Sequence, residues 1–189
     1  FLAQRGFTII NGGYSGIMYA FNINTGKLEW TYTVSNPYAI SEMWANWPIY
    51  PMFIANGIVY AISTEHSGNQ PLPRGSPTFA LNATTGALIW RADGLFRSTH
   101  WGGYPLIGDS VIALMNTYDQ QIYAVGTGPS ATTVQAPMTG INAGKSLVIQ
   151  GTVMDVSPGT KSTALTLRFP NGVPAVSDAS MSNWMGYVY

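Results

Sequence analysis

Hydrophobic residues along the first two-thirds of this chain fall at every second position or in short runs. Tyr19, Phe21 and Ile23 alternate with smaller or polar residues, and compact apolar runs follow at 57–62 and 121–126. A period of two is typical of β-strands that bury one face, and short apolar runs between turn residues also indicate strands. The pattern therefore predicts an all-β protein built from many short strands.

Residues 20–30 and 80–90 are near copies of each other. Ala, Asn, Thr, Gly, Leu and Trp occupy the same offsets in both stretches. The Thr-Gly pairs predict hairpin turns, because glycine takes positive φ at little cost. The strand after each turn carries Leu and Trp two positions apart, which would place both on one face. The repeat predicts about three four-stranded antiparallel blades, the last of them near 105–126 and lacking the Trp.

The repeated motif, Ala-x-Asn-x-x-Thr-Gly-x-x-x-Trp, resembles the tryptophan-docking motif of the quinoprotein-like (PQQ-repeat) β-propeller superfamily. In that family the Trp of one blade packs against the motif of the next. The resemblance implies a partial β-propeller over residues 1–130. It gives Trp30 and Trp90 the blade-docking role and places Gly26 and Gly86 in the turns. The motif is specific for this fold and weak as a guide to activity.

The pattern changes after a Gly-Pro-Ser linker at 128–130. Residues 131–189 are predicted as a second part that starts an Ig-like or β-sandwich segment, with strands at 133–135 and 146–153. This part loosely resembles the Ig-like modules that follow propellers in some prokaryotic cell-surface proteins. A short C-terminal helix is expected from Ser177 or Asp178 onward. Its apolar stripe would be formed by Met181, Trp184, Met185 and Val188.

Charged residues make up only 8% of the chain, against about 25% in ordinary soluble domains. The net charge is zero, so neither nucleic acid nor an anionic membrane is an expected partner. No apolar run approaches the roughly 20 residues that a membrane span requires. Cysteine is absent, which excludes disulfides and thiolate metal sites. This composition favours an exported protein, extracellular or on the cell surface, that is covered by partners or glycan.

The sequence offers no recognisable catalytic or metal centre. The two histidines, His66 and His100, are interpreted as structural or solvated residues, because a metal site needs three or four convergent ligands. The carboxylates that could join them are Glu42, Glu65, Asp93 and Asp109. No nucleophile elbow, phosphate-binding glycine loop or His-Glu-x-x-His helix is present. No catalytic residue, no metal and no cofactor is therefore expected.

A quinone-dependent dehydrogenase is the main alternative that the family resemblance leaves open. It would require a closed propeller, a PQQ stacked in the axial channel, a bound calcium ion and an Asp base. Active members of the family often carry a vicinal cysteine pair, which this sequence lacks. About three blades cannot enclose an axial site, since propellers close with roughly four to eight. PQQ and calcium are therefore expected only if the chain is a fragment of such an enzyme.

Aromatic residues in predicted loops are candidates for contacts with sugars or protein partners. They are Trp44, Trp47, Trp101 and Tyr104. Packing over the propeller core explains them equally well. Asn82 begins an Asn-Ala-Thr sequon and is a candidate glycosylation site.

Three functions remain open from the sequence. The first is a non-catalytic extracellular scaffold or binding module within a larger or polymeric assembly, with protein partners or copies of itself. The second is the dehydrogenase fragment, and the third is a carbohydrate-binding propeller that uses the aromatic loops. The low charge and the exposed strand edges expected of incomplete blades favour the scaffold.

Overall fold

The structure, a computed structural model, describes residues 2–4, 7–11, 16–34, 49–63, 77–93, 105–116 and 120–188. The strand pairs whose register is defined are all antiparallel. The predicted all-β class, with four-stranded antiparallel sheets and a short C-terminal helix, is confirmed. Contacts divide the chain into two compact units, residues 1–125 with 179–189 and residues 126–178. The predicted boundary after residue 130 stays a prediction.

The first sheet is a four-stranded meander in which each strand pairs with the next one in the sequence. Its strands are β1 (Leu2–Gln4), β2 (Phe7–Asn11), β3 (Ile17–Asn22) and β4 (Leu28–Thr33). The hairpin between β3 and β4 contains the first copy of the repeated motif. This order is that of a single propeller blade.

The second sheet repeats this meander with the second copy of the motif in its last hairpin. Its strands are β5 (Ile49–Ala55), β6 (Ile58–Ser63), β7 (Thr78–Asn82) and β8 (Leu88–Ala92). Both faces of this sheet are buried, because successive residues of β6 and β7 pack into different clusters. Val59 and Phe79 face one cluster, while Ile62 and Ala80 face the other.

The third sheet contains three strands among the described residues, in the order β11, β10, β9. They are β9 (Leu106–Gly108), β10 (Val111–Asn116) and β11 (Gln121–Gly126). Along β10 buried and exposed residues alternate strictly, so this sheet buries one face only. Ile112 and Leu114 are on the buried face.

Two hydrophobic clusters join the three sheets. The first unites Met18, Trp30 and Val34 of the first sheet region with Phe79 and Leu81 of the second sheet. The second unites the other face of the second sheet with β10, β11 and the C-terminal helix. Its buried members are Ile62, Ala80, Trp90, Ala92, Ile112, Leu114 and Met185. Each cluster therefore fills the space between consecutive repeats.

A β-bulge alters the predicted position of the motif Leu. Ala20 pairs with Trp30 and the next residue, Phe21, pairs with Leu28, so one extra residue of β4 is inserted between the two pairs. Paired residues share a face, whereas neighbours on one strand lie on opposite faces. Leu28 and Trp30 are therefore on opposite faces, and Leu28 is 45% exposed. The expectation that both lie on one face is wrong, because a bulge shifts the alternation by one residue.

The same bulge recurs in the second sheet, where Ala80 pairs with Trp90 and Leu81 pairs with Leu88. Leu88 is 44% exposed, close to the value for its counterpart in β4. The two copies of the motif thus share their register as well as their sequence.

The C-terminal helix packs on the second sheet. A 3₁₀ turn at Asp178–Ser180 leads into α2 (Met181–Val188), which contacts β8. The predicted apolar stripe faces this sheet in part, with Met185 buried and Met181 packed against the second cluster. No helix in the described part of the chain is long and apolar enough to cross a membrane.

Residues 126–178 form the other compact unit. Its sheet is a two-stranded ribbon of β12 (Ser130–Gln135) and β13 (Gln150–Asp155), in which the Thr133 and Thr152 hydroxyls lie 2.7 Å apart. The strand predicted at 146–153 begins instead at Gln150. The helix α1 (Thr163–Arg168) was not predicted, and its N-terminal N–H group is capped by the Ser162 hydroxyl. The Ig-like assignment stays a prediction.

Candidate functional site

The first motif turn is held by the side chain of Asn22. Its Oδ1 accepts hydrogen bonds from the backbone N–H groups of Asn24 and Thr25, at 3.0 and 3.2 Å. The N–H of Gly26 donates to the Asn22 carbonyl at 2.8 Å, with Gly26 at φ +68°. The Thr25 hydroxyl accepts from the Lys27 N–H at 3.3 Å. The Asn, Thr and Gly that the two motif copies share thus each have a role in the turn.

The second motif turn has the same bonds. Asn82 Oδ1 accepts from the N–H groups of Thr84 and Thr85 at 2.9 and 3.1 Å, and the Gly86 N–H donates to the Asn82 carbonyl at 2.8 Å. Gly86 has φ +72°, and the Thr85 hydroxyl accepts from the Ala87 N–H at 3.3 Å. The two turns are therefore equivalent in backbone and in internal hydrogen bonds.

Trp30 of the first sheet lies on the second turn. Its indole Nε1–H donates a buried hydrogen bond of 3.1 Å to the Ala83 carbonyl, and only 8% of the residue is exposed. A methyl group at Gly86 would lie 2.6 Å from Cε3 of the indole, closer than two carbon atoms can approach. Glycine is thus required at position 86 for two reasons, because φ is positive there and because the indole leaves no room for a Cβ atom.

An aromatic and cationic layer lies near this contact. The Tyr32 ring meets the Phe79 ring edge-on at 5.8 Å between centroids, and the Arg91 guanidinium lies 5.3 Å from the centre of the Phe79 ring. Arg91 also pairs with Asp93 at 2.8 Å. Burial raises the pKa of Tyr32, and the nearby charge of Arg91 opposes part of that rise. These residues extend the contact of the two sheets beyond the indole.

Trp90, the counterpart of Trp30, is buried in the second cluster. It is 8% exposed and its ring lies 6.2 Å from that of Tyr60, between centroids. Burial raises the pKa of Tyr60. The third sheet contributes Ile112 and Leu114 to the same cluster. Each motif Trp is therefore buried in the cluster between its own sheet and the next one.

The first turn carries no such cover. Gly26 is exposed, and a methyl group built on it meets no atom within 4 Å. Ile23, which corresponds to Ala83, is 54% exposed, whereas Ala83 is 5% exposed. Both motif turns thus have the same geometry, and among the described residues an indole covers the second turn only.

Several predicted site residues lie outside the described residues. They are Trp44, Trp47, Trp101, Tyr104, His66, His100, Glu42 and Glu65. Of the remaining carboxylates, Asp93 pairs with Arg91, and Asp109 lies in the β9–β10 turn with φ +48°. Among the described residues no group of three or more His, Cys, Asp or Glu could hold a metal ion.

Asn82, the candidate glycosylation residue, is partly buried and uses its Oδ1 within the turn. Asn22 makes the same hydrogen bonds without belonging to a sequon. The turn alone therefore accounts for an Asn at this position, and glycosylation of Asn82 stays a prediction.

Sequence reasoning did not find Ala83, Phe79 or Arg91 as parts of the Trp30 contact. Ala83 acts through its carbonyl group, which any residue would provide. The acceptor of the Trp30 hydrogen bond is therefore a backbone group that no residue type reveals.

No protein-family model matches the sequence, and no curated protein matches it either. Several solved structures are similar in part, among them the following two. One is a europium-containing methanol dehydrogenase, with 14% identity and a TM-score of 0.40 over 83% of this chain and 22% of that one. The other is BamB from Moraxella catarrhalis, with 19% identity and a TM-score of 0.31 over 68% of this chain and 50% of that one.

The chain spans half or less of the length of either structure. Structural similarity at these TM-scores supports no conclusion about function. The description of the sheets as blades rests on the strand order and on the contact of Trp30 with the motif turn of the next repeat in this chain itself.

Proposed function

We propose that this chain is a non-catalytic scaffold or binding module, exported to the cell surface or beyond, that joins a larger or polymeric assembly through its repeats. The observation that carries the proposal is the open first turn. Its hydrogen bonds and its glycine match those of the turn that receives Trp30, yet Gly26 is exposed. A surface already shaped for an indole supports a role in which a neighbouring repeat is bound.

The remaining composition agrees with such a role. Only 8% of the residues are charged, and apolar residues such as Ile122, at 77%, and Leu106, at 72%, are exposed on the third sheet. Exposed apolar surface on a chain with few charges is typical of proteins that meet partners. Export remains part of the proposal and is supported by composition alone.

The proposal is tested by the association state of the purified chain and of one variant. Light scattering over a concentration series is expected to show assemblies, alone or with the native partner. The Gly26→Arg variant is expected to remain folded at a cost of about 1–2 kcal/mol from its positive φ, and to assemble at least about tenfold more weakly, because its side chain would cover the turn. Gly26→Ala, which carries the same backbone strain without the long side chain, is the control. A stable monomer at every concentration, inert toward extracts of its source, would contradict the proposal.

A further inference from the structure

Among the described residues, the third sheet has one strand fewer than the first two. In the first two sheets the third strand of the meander pairs with a fourth, β4 or β8. The strand at the corresponding place of the third sheet is β11, and among the described strands it lies at the sheet edge. The open edge is therefore where a fourth strand stands in the other two repeats.

The alanine of the motif shows the register of the missing strand. Ala20 pairs with Trp30 and Ala80 pairs with Trp90, and both alanines are completely buried. The dipeptide Tyr123-Ala124 of β11 corresponds to Tyr19-Ala20 and Phe79-Ala80. Ala124, however, is exposed. It marks the point on β11 opposite which a tryptophan of the fourth strand lies in the other repeats.

The surface beside Ala124 is suited to apolar cover. Tyr123 and Val125 pack against the second cluster, so Ala124 lies on the opposite face. That face also carries Val111 and Met115 of β10, which are 41% and 42% exposed. In the second sheet Trp90 of β8 packs near Tyr60 of β6, two strands away.

The β11 edge also lacks the usual protection against strand addition. The strand reads Gln-Ile-Tyr-Ala-Val-Gly, with no proline and no charged residue. Natural edge strands are commonly blocked by lysine, proline or a bulge. An unprotected edge beside an apolar face is the surface that strand-adding partners use.

We infer that β11 binds an extended strand of another polypeptide with the pattern Leu-x-Trp, antiparallel, with its Trp opposite Ala124. The partner is identified by β4 and β8, which read Leu-Glu-Trp and Leu-Ile-Trp at this place in the other sheets. The inference rests on the proposed role in assembly but concerns a different surface from the open turn at Gly26.

A labelled peptide with the sequence of residues 86–93, Gly-Ala-Leu-Ile-Trp-Arg-Ala-Asp, tests the inference on the full chain. Fluorescence anisotropy is expected to show saturable binding, and hydrogen exchange is expected to slow at 121–126. A peptide with Ala in place of Trp should bind about tenfold more weakly or worse, since the Trp supplies most of the buried apolar surface.

Two protein variants separate this edge from other strand edges. Ala124→Arg is expected to weaken the peptide by about tenfold or more, because it fills the Trp position. Ala131→Arg, an exposed alanine on β12, is the matched control and should bind like the unmodified chain. The inference would be overturned if the peptide did not bind, or if it bound equally well to the Ala124→Arg variant. It would also be overturned if hydrogen exchange slowed on β12 and β13 alone. Loss of assembly through Gly26→Arg with intact peptide binding would separate it from the proposed function.

Discussion

The two motif turns are alike in sequence, backbone and internal hydrogen bonds, and they differ in what lies on them. At the second turn the Trp30 indole covers Gly86 and hydrogen-bonds the Ala83 carbonyl. At the first turn Gly26 is exposed and Ile23 is 54% exposed. The comparison separates two roles of one motif. Its polar residues build the turn, and its glycine also creates a flat surface that an aromatic ring from another repeat can cover.

Removing the indole should have the largest effect. We expect Trp30→Ala to lower the free energy of unfolding by about 3–5 kcal/mol, because it opens a cavity between two sheets and leaves the Ala83 carbonyl without its donor. Denaturant unfolding measures this change. Leu28→Ala, on the exposed face of the same strand, is the control and should cost about 0.5 kcal/mol. Equal costs for the two variants would contradict the assignment of Trp30 to the contact.

The paired glycines sharpen the comparison. Gly26→Ala should cost about 1–2 kcal/mol, from positive φ alone, since no atom lies near the new methyl group. Gly86→Ala carries the same backbone cost and adds a clash with the indole, for a total of about 2–5 kcal/mol. Thermal or denaturant unfolding of both variants gives the difference. If the two substitutions proved equal, the Trp30 ring would not rest on Gly86.

The turn asparagines should behave alike. Asn22→Ala and Asn82→Ala each remove an oxygen that accepts two backbone N–H groups, so each should cost about 1 kcal/mol. We expect their unfolding free energies to agree within about 0.5 kcal/mol. A much larger cost at Asn82 would mean that the second turn depends on the interface for its shape. The mass of the protein from its natural source would show in parallel whether Asn82 carries a glycan.

A smaller effect is expected at alkaline pH. Burial raises the pKa of Tyr32, so the folded state holds this phenol proton more firmly than the unfolded state, whose pKa is about 10. The resulting stability is complete below pH of about 10 and is lost as the pH rises through the folded-state value. Tyr32→Phe should therefore flatten the decline in unfolding free energy above pH of about 10. An unchanged slope would show that Tyr32 is equally accessible in both states.

The sequence was sufficient to predict the repeat and its turns, because these follow from local pattern, and it pointed to the docking role of Trp30 and Trp90 only through the family resemblance. It did not predict the bulge that turns Leu28 to the opposite face, since a bulge depends on pairing with β3. Nor did it predict α1 or the docking of α2 on β8, which depend on capping and on contacts between distant segments. Ala83 was missed because its carbonyl, a group common to all residues, is the acceptor. A single sequence therefore predicts local turns and repeats, but it does not predict which residues of different sheets contact each other.

A double-mutant cycle between Trp30 and Gly86 tests the central claim most directly. In the unmodified background Gly86→Ala carries both the backbone cost and the clash. In the Trp30→Ala background the ring is gone, so Gly86→Ala should cost no more than Gly26→Ala, about 1–2 kcal/mol. The account predicts a coupling energy of about 1–3 kcal/mol between the two positions. A coupling energy near zero, with the full cost of Gly86→Ala persisting without the indole, would contradict it.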